Sequence, residues 1–216
     1  NQYDWDLRYT DATGFPGLLM WDGSLRGPEA IPGEYKVELV VDGKTYSQNI
    51  TVVKDPRAPT TPEDFQKQLE LALKIRDRVS EANQSVVAIR AAKDQLKPYL
   101  TNSNEKVKTD AKQLSDELTG IEEAIYQTKL KADEDALNYP IKLNNKIASV
   151  GGVVEDTDVA PTAQSYEVFD QLSAQLQTQL DHLHKVENTG IEQFNKLVRD
   201  QNIPAVSMQK PKEEQD

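Results

Sequence analysis

The chain has 216 residues, a formal net charge of −11, no cysteine and two histidines. That length accommodates one large or two small domains. The lack of cysteine excludes disulfides and thiolate metal sites within the chain. The acidity disfavours phosphate backbones and anionic lipid surfaces, so no nucleic acid partner is expected. No apolar run approaches the length a bilayer crossing needs, and no membrane insertion is expected.

In chain order, residues 1–57 read as β structure. Residues 3–8 predict a first strand with Trp5 and Leu7 on one face. Residues 34–41 and 45–53 are rich in β-branched and aromatic side chains, and Tyr35, Val37, Leu39 and Val41 alternate with Lys36, Glu38 and Val40. Asp42-Gly43 between them is a strong hairpin signal. Prolines and glycines from Pro16 to Gly33 punctuate the loops. Roughly four strands result, few for a closed sandwich. The expectation is a truncated sandwich whose first strands lie upstream of Asn1.

Asp55-Pro-Arg-Ala-Pro-Thr-Thr-Pro62 marks a boundary, because its prolines can neither continue a strand nor sit inside a helix. Thr61 is a good N-cap with Pro62 at the first helical position. Residues 58–203 then read as a helical bundle. A first helix over 62–97 repeats Phe65, Ala72, Val79 and Val86 against Ile75, Ala82, Ile89 and Leu96, a coiled-coil spacing. A second over 104–132 carries Val107, Leu114 and Ile121 with Ala111, Leu118 and Ile125. A third over 162–200 carries Phe169, Leu176, Leu183 and Leu197 with Tyr166, Leu180 and Phe194. Between the last two, a short fourth helix is predicted over 140–150, opening at Pro140 and ending before Gly151-Gly152. Residues 204–216 are polar and predict a disordered tail. The fold class is therefore α+β, mainly α: a partial β domain followed by a long antiparallel bundle of three long helices and one short.

Six residues stand out as candidate binding positions. Arg76, Asn83 and Arg90 lie seven apart beside the first helix's apolar seam. They read either as a groove for an anionic ligand or as a polar ladder satisfied by acids such as Glu122, Glu123 or Glu187. Asn144-Asn145 sits where helix interiors disfavour asparagine, which suggests amides clamping neighbouring backbone. Trp21, in a glycine-rich stretch, could stack on a sugar ring or join a β core. His182 and His184 are two apart, about 200° around a helix, and cannot share a metal on one face. There is no glycine-rich phosphate loop, no Gly-x-Ser-x-Gly and no His-Glu-x-x-His. No catalytic residue, cofactor site or metal ligand is assigned.

Trp5-Asp-Leu-Arg-Tyr9, Phe15-Pro-Gly17, Gly27-Pro28, Pro32-Gly-Glu-Tyr35, Asp42-Gly43 and Asp55-Pro-Arg57 together form a pattern. So do Ile75-Arg-Asp77, Asn83, Ile89-Arg90, Ile121-Glu122, Tyr126 and the stretch 137–147. The pattern resembles the C-terminal region of large bacterial proteins with sortilin-type or sialidase-like (BNR) β-propellers, often labelled glycosyl hydrolases. The resemblance implies that the β part is the end of an Ig-like domain of the flagellar hook-capping type. It implies a secreted or periplasmic location and an upstream β-propeller as partner. It implies a non-catalytic scaffolding or interaction role toward a protein or glycan. The alternative is an accessory domain of a glycoside hydrolase that contributes carbohydrate binding or an acidic site. No propeller repeat of the Ser-x-Asp-x-Gly-x-x-Trp kind occurs in this chain, so the resemblance carries no catalytic residue over.

Overall fold

The computed structural model describes residues 3–200 and 205–208. The chain is α+β and mainly α, with one small antiparallel sheet. Two strands, β1 (Gly33–Val41) and β2 (Lys44–Val52), pair in register from Gly33 opposite Val52 to Val41 opposite Lys44. Asp42 and Gly43 turn the hairpin with φ of 50° and 75°, the left-handed pair that matches strand twist. The strand expected over residues 3–8 does not form. Leu7 turns left-handed at φ 60°, and only an isolated antiparallel bridge between Arg8 and Glu29 remains. Two strands rather than four are therefore present among the described residues.

Helix α1 (Pro62–Leu96) opens with a reciprocal cap: the Asp64 N–H donates to Thr61 Oγ1, and the Thr61 N–H donates to Asp64 Oδ2. Pro98 and a 3₁₀ turn over Lys97–Thr101 end it. Helix α2 (Glu105–Ile125), capped by Asn104, stops seven residues short of expectation. Tyr126 leaves the helix extended, its ring packs edge-on against Phe15, and burial there overrides the helical propensity of the next residues. Helix α3 (Leu143–Glu155) starts after Pro140 rather than at it, because Lys142 is extended. It runs through Gly151-Gly152, where a β-carbon at Gly151 would meet Ile75 of α1 at 3.4 Å, ordinary contact distance, and one at Gly152 would meet nothing. Helix α4 (Ala163–Lys185) continues through a π-helical turn (Val186–Ile191) into α5 (Glu192–Arg199), so the third predicted helix exists with a local widening. The widening sits where Gly190 faces Leu114 of α2.

Helix α1 packs against α2, α3 and α4. Its stripe of Ala72, Ile75, Val79, Ala82, Val86 and Ile89 is buried, as the three-four spacing requires. Leu118 and Ile121 from α2, Ile147 from α3, Leu176 from α4 and Phe194 from α5 complete the core. Each such side chain contributes about 1.5–3 kcal/mol on burial. Part of the predicted tail belongs to this body. Val206 is buried, the Asn195 Nδ2 donates to its carbonyl at 2.7 Å, and its own N–H donates to Asn195 Oδ1 at 2.7 Å. Residues 204 and 209–216 of that tail lie outside the described residues. No described helix is long and apolar enough to cross a membrane.

The hairpin backbone stands off from the helices, and its base is held by Trp5, whose ring centroid lies 5.3 Å from that of Tyr35. No Cα of either strand comes within 8 Å of a helix Cα. Lys44, Tyr46, Gln48 and Ile50 share one face with Tyr35, Val37, Leu39 and Val41, while Thr45, Ser47, Asn49 and Thr51 share the other with Glu34, Lys36, Glu38 and Val40. The apolar face is open, with Leu39 60% and Tyr46 59% exposed.

Candidate functional site

The six candidate residues lie along the surface where residues 10–30 cross α1 and α3. This segment is a ribbon of two irregular limbs. The Tyr9 N–H donates to Pro28 O, the Ala12 N–H to Leu25 O and the Ala30 N–H to Leu7 O. A β-carbon at Gly27 would lie 1.9 Å from Tyr9 O, so only glycine allows the limbs to approach. The Gly27 N–H in turn donates to Asp11 Oδ1 at 2.8 Å.

The ribbon is short of backbone ladder bonds, and the helices supply side chains instead. Asn83, fully buried, donates through Nδ2 to Thr13 O at 2.8 Å and accepts from Asn144 Nδ2 at 3.0 Å. Asn144 Oδ1 accepts the Asn145 N–H at 2.7 Å. Asn145 then meets Trp21 backbone twice, accepting its N–H at 2.8 Å and donating to its carbonyl at 2.6 Å. Ser80 accepts the Thr13 N–H at 3.0 Å, and Tyr126 donates to Gly17 O at 3.4 Å. Asn83, Asn144, Asn145 and Trp21 thus form one continuous hydrogen-bonded chain from α1 through α3 to the ribbon. Buried amides of this kind are costly unless satisfied, and these are satisfied by the ribbon backbone. Trp21 as a residue remains 38% exposed.

The two arginines differ. Arg90 Nε donates to Glu122 Oε1 at 2.7 Å, and Lys93 Nζ to Glu122 Oε2 at 2.8 Å, so a buried α2 carboxylate is held by two α1 cations. The Arg90 guanidinium also lies 4.8 Å from the Phe15 ring and 5.3 Å from the Tyr126 ring, two rings that themselves meet edge-on, a cation–π cluster that pins the ribbon's tip. The ladder reading is right at this position. Arg76 does not reach a neighbouring helix's acid. Its Nε donates to Asp77 Oδ1 at 2.9 Å, and its Nη1 to Thr10 O at 3.4 Å. Glu187, one of the acids considered for the ladder, faces His184 at 3.8 Å instead, and His182 Nε2 lies 2.7 Å from Glu117 Oε1.

A second polar cluster has no signal in the sequence. Glu155, near the C-terminal end of α3, accepts the Glu29 N–H at 3.0 Å and lies 3.7 Å from Arg8 Nη1. Arg8 also donates to Gly27 O at 2.8 Å and pairs with Glu29. Burial pushes the Glu155 carboxyl above its ordinary value, and the Glu29 N–H and Arg8 pull against that shift. A cavity of about 390 Å³ opens beside it, with Arg26, Arg76, Ile75 and Gly151 among its lining. Among the described residues, no three His, Asp or Glu side chains gather as a metal site.

The stretch 137–147 divides. Ile147 and Leu143 are buried, Leu137 is 77% exposed, and Tyr139 stands over Lys129 Nζ at 5.7 Å rather than meeting the hairpin. The segment therefore joins helix to ribbon, not helix to sheet. Comparison of the chain with models of known protein families, with curated proteins and with solved structures finds no match.

Proposed function

We propose that this chain is a non-catalytic C-terminal scaffolding and interaction module of a secreted or periplasmic bacterial protein that carries a β-propeller upstream. In this reading the helices form an antiparallel bundle, and the hairpin is the end of an Ig-like β domain whose remaining strands come from the preceding part of the parent protein. The observation that carries the reading is where the polar side chains go. Asn83, Asn144, Asn145 and Arg90, the residues best suited to grip a ligand, are consumed in holding the ribbon to the helices. A rigid body with its polar groups spent internally, presenting a hairpin with an open apolar face, suits assembly better than catalysis. Two measurements test this. The isolated chain is expected to hydrolyse no sialoside, common glycoside or peptide. Turnover that is lost when one acid of this chain is replaced would overturn the reading. A full reading frame with no propeller ahead of this segment would sink the proposed context.

A further inference from the structure

We propose that the outer edge of β1 pairs with the same edge of a second copy of this chain, antiparallel and two-fold, with Val37 facing its own counterpart. The inference deepens the assembly role proposed above and rests on it, with the strands of the parent protein adding at the β2 edge and the β1 edge left to the second copy.

The hairpin needs further strands. Two strands alone are marginal in water, and neither strand's backbone comes close to a helix; only Val52, at the base, shares a cavity with Phe65 and Leu69 of α1. The β1 edge is nine residues long, contains no proline, and carries no other strand among the described residues. The two-residue turn makes Val41 and Lys44 the pair that exchanges both hydrogen bonds. Antiparallel alternation then commits Leu39, Val37 and Tyr35 to β2, and leaves the N–H and C=O groups of Glu34, Lys36, Glu38 and Val40 pointing outward.

A two-fold pairing must oppose outward residues to outward residues, and charge and overlap together select among the registers: centring on Tyr35 also sets Glu34 against Lys36 twice, but it pairs only residues 33–37. Centring on Lys36 sets Lys36 against Lys36 and Glu34 against Glu38. Centring on Glu38 sets Glu38 against Glu38. Centring on Val37 sets Lys36 against Glu38 twice, places Tyr35 beside Leu39, and uses the whole strand, since Gly33 then meets Val41. In one copy Lys36 Nζ lies 2.5 Å from Glu38 Oε1, so the same two groups exchange partners on pairing and no charge is stranded. The β2 edge presents Thr45, Ser47, Asn49 and Thr51, which have no charge to fix a register. The product is a four-stranded sheet with one continuous apolar face, an isologous interface of the commonest oligomer type.

Sedimentation velocity on the full chain from micromolar to near-millimolar concentration tests the pairing, with circular dichroism as the check that the helices are intact. The chain is expected to form dimers. Lys36→Glu and Glu38→Lys, each alone, are expected to weaken self-association by about tenfold or more, because each opposes like charges twice. An equal mixture of the two variants is expected to restore pairing, since Glu at 36 then meets Lys at 38 and the reverse. Val37→Cys is expected to give an interchain disulfide on oxidation, and Val41→Cys is not. A chain that stays monomeric throughout, a dimer indifferent to both charge variants, or a mixture that fails to associate would overturn the pairing. A monomer without turnover leaves the module reading standing, whereas turnover that depends on an acid of this chain removes that reading whatever the sedimentation shows.

Discussion

Asn145 is the residue on which the ribbon's attachment turns, because it satisfies both backbone groups of Trp21 from a buried position on α3. Asn145→Ala leaves a buried donor and acceptor without partners. It is expected to lower unfolding free energy by about 2–4 kcal/mol, read from urea unfolding. Cost within the scatter of surface substitutions would mean that water replaces the amide at no loss. That an asparagine pair clamps backbone was legible, because asparagine inside a helix competes for backbone bonds. Which backbone it clamps was not, since Trp21 lies in a segment without periodicity. The Arg90–Glu122 pair was legible from heptad position, and Arg76 was misplaced by the same logic. Seam spacing shows which side of a helix a residue leaves, but not which acceptor is nearest.

At the scale of elements, the apolar spacing located α1, α2 and the α4–π–α5 run, while tertiary contacts set their ends. Nothing local in the sequence marks Tyr126 as the stop of α2 or carries α3 through two glycines; Phe15 packs at the first, and burial of Ile147, Val150 and Val154 where α3 lies on α1 holds the second. The contact between α3 and the ribbon at Glu155 is likewise tertiary, and it carries a pH signature. Burial raises the carboxyl, so the folded state binds the proton more tightly than the unfolded chain does. Its contribution is therefore favourable below the unfolded value and is lost as pH rises through the raised folded value. Glu155→Gln keeps the acceptor for the Glu29 N–H and removes the charge. Relative to the parent, the variant's stability is expected to increase as pH rises from about 4 to about 7, measured as the difference in urea midpoints at each pH. The opposite trend would show that attraction to Arg8 outweighs burial.

For the whole molecule, the sequence divides at the prolines before α1, whereas the packing associates residues 10–30 with the helices and leaves the hairpin outside. Hydrophobic pattern could not show this, because Ala12 and Ala30 are buried within a segment that is otherwise loop-like in composition. Replacing Gly33–Val52 by a short glycine-serine linker is expected to leave the body's melting temperature within about 3 °C of the parent. A larger fall in a thermal scan would make the hairpin part of the same cooperative unit. The ribbon also has a history in time. Trp21 and the Asn145 that holds it are 124 residues apart. At about 5–20 residues per second, a ribosome delivers the clamp about 6–25 s after the strand it must hold. Partners on α1 reach Thr13 and Phe15 earlier in that interval, but Trp21 stays without its clamp until α3 is made.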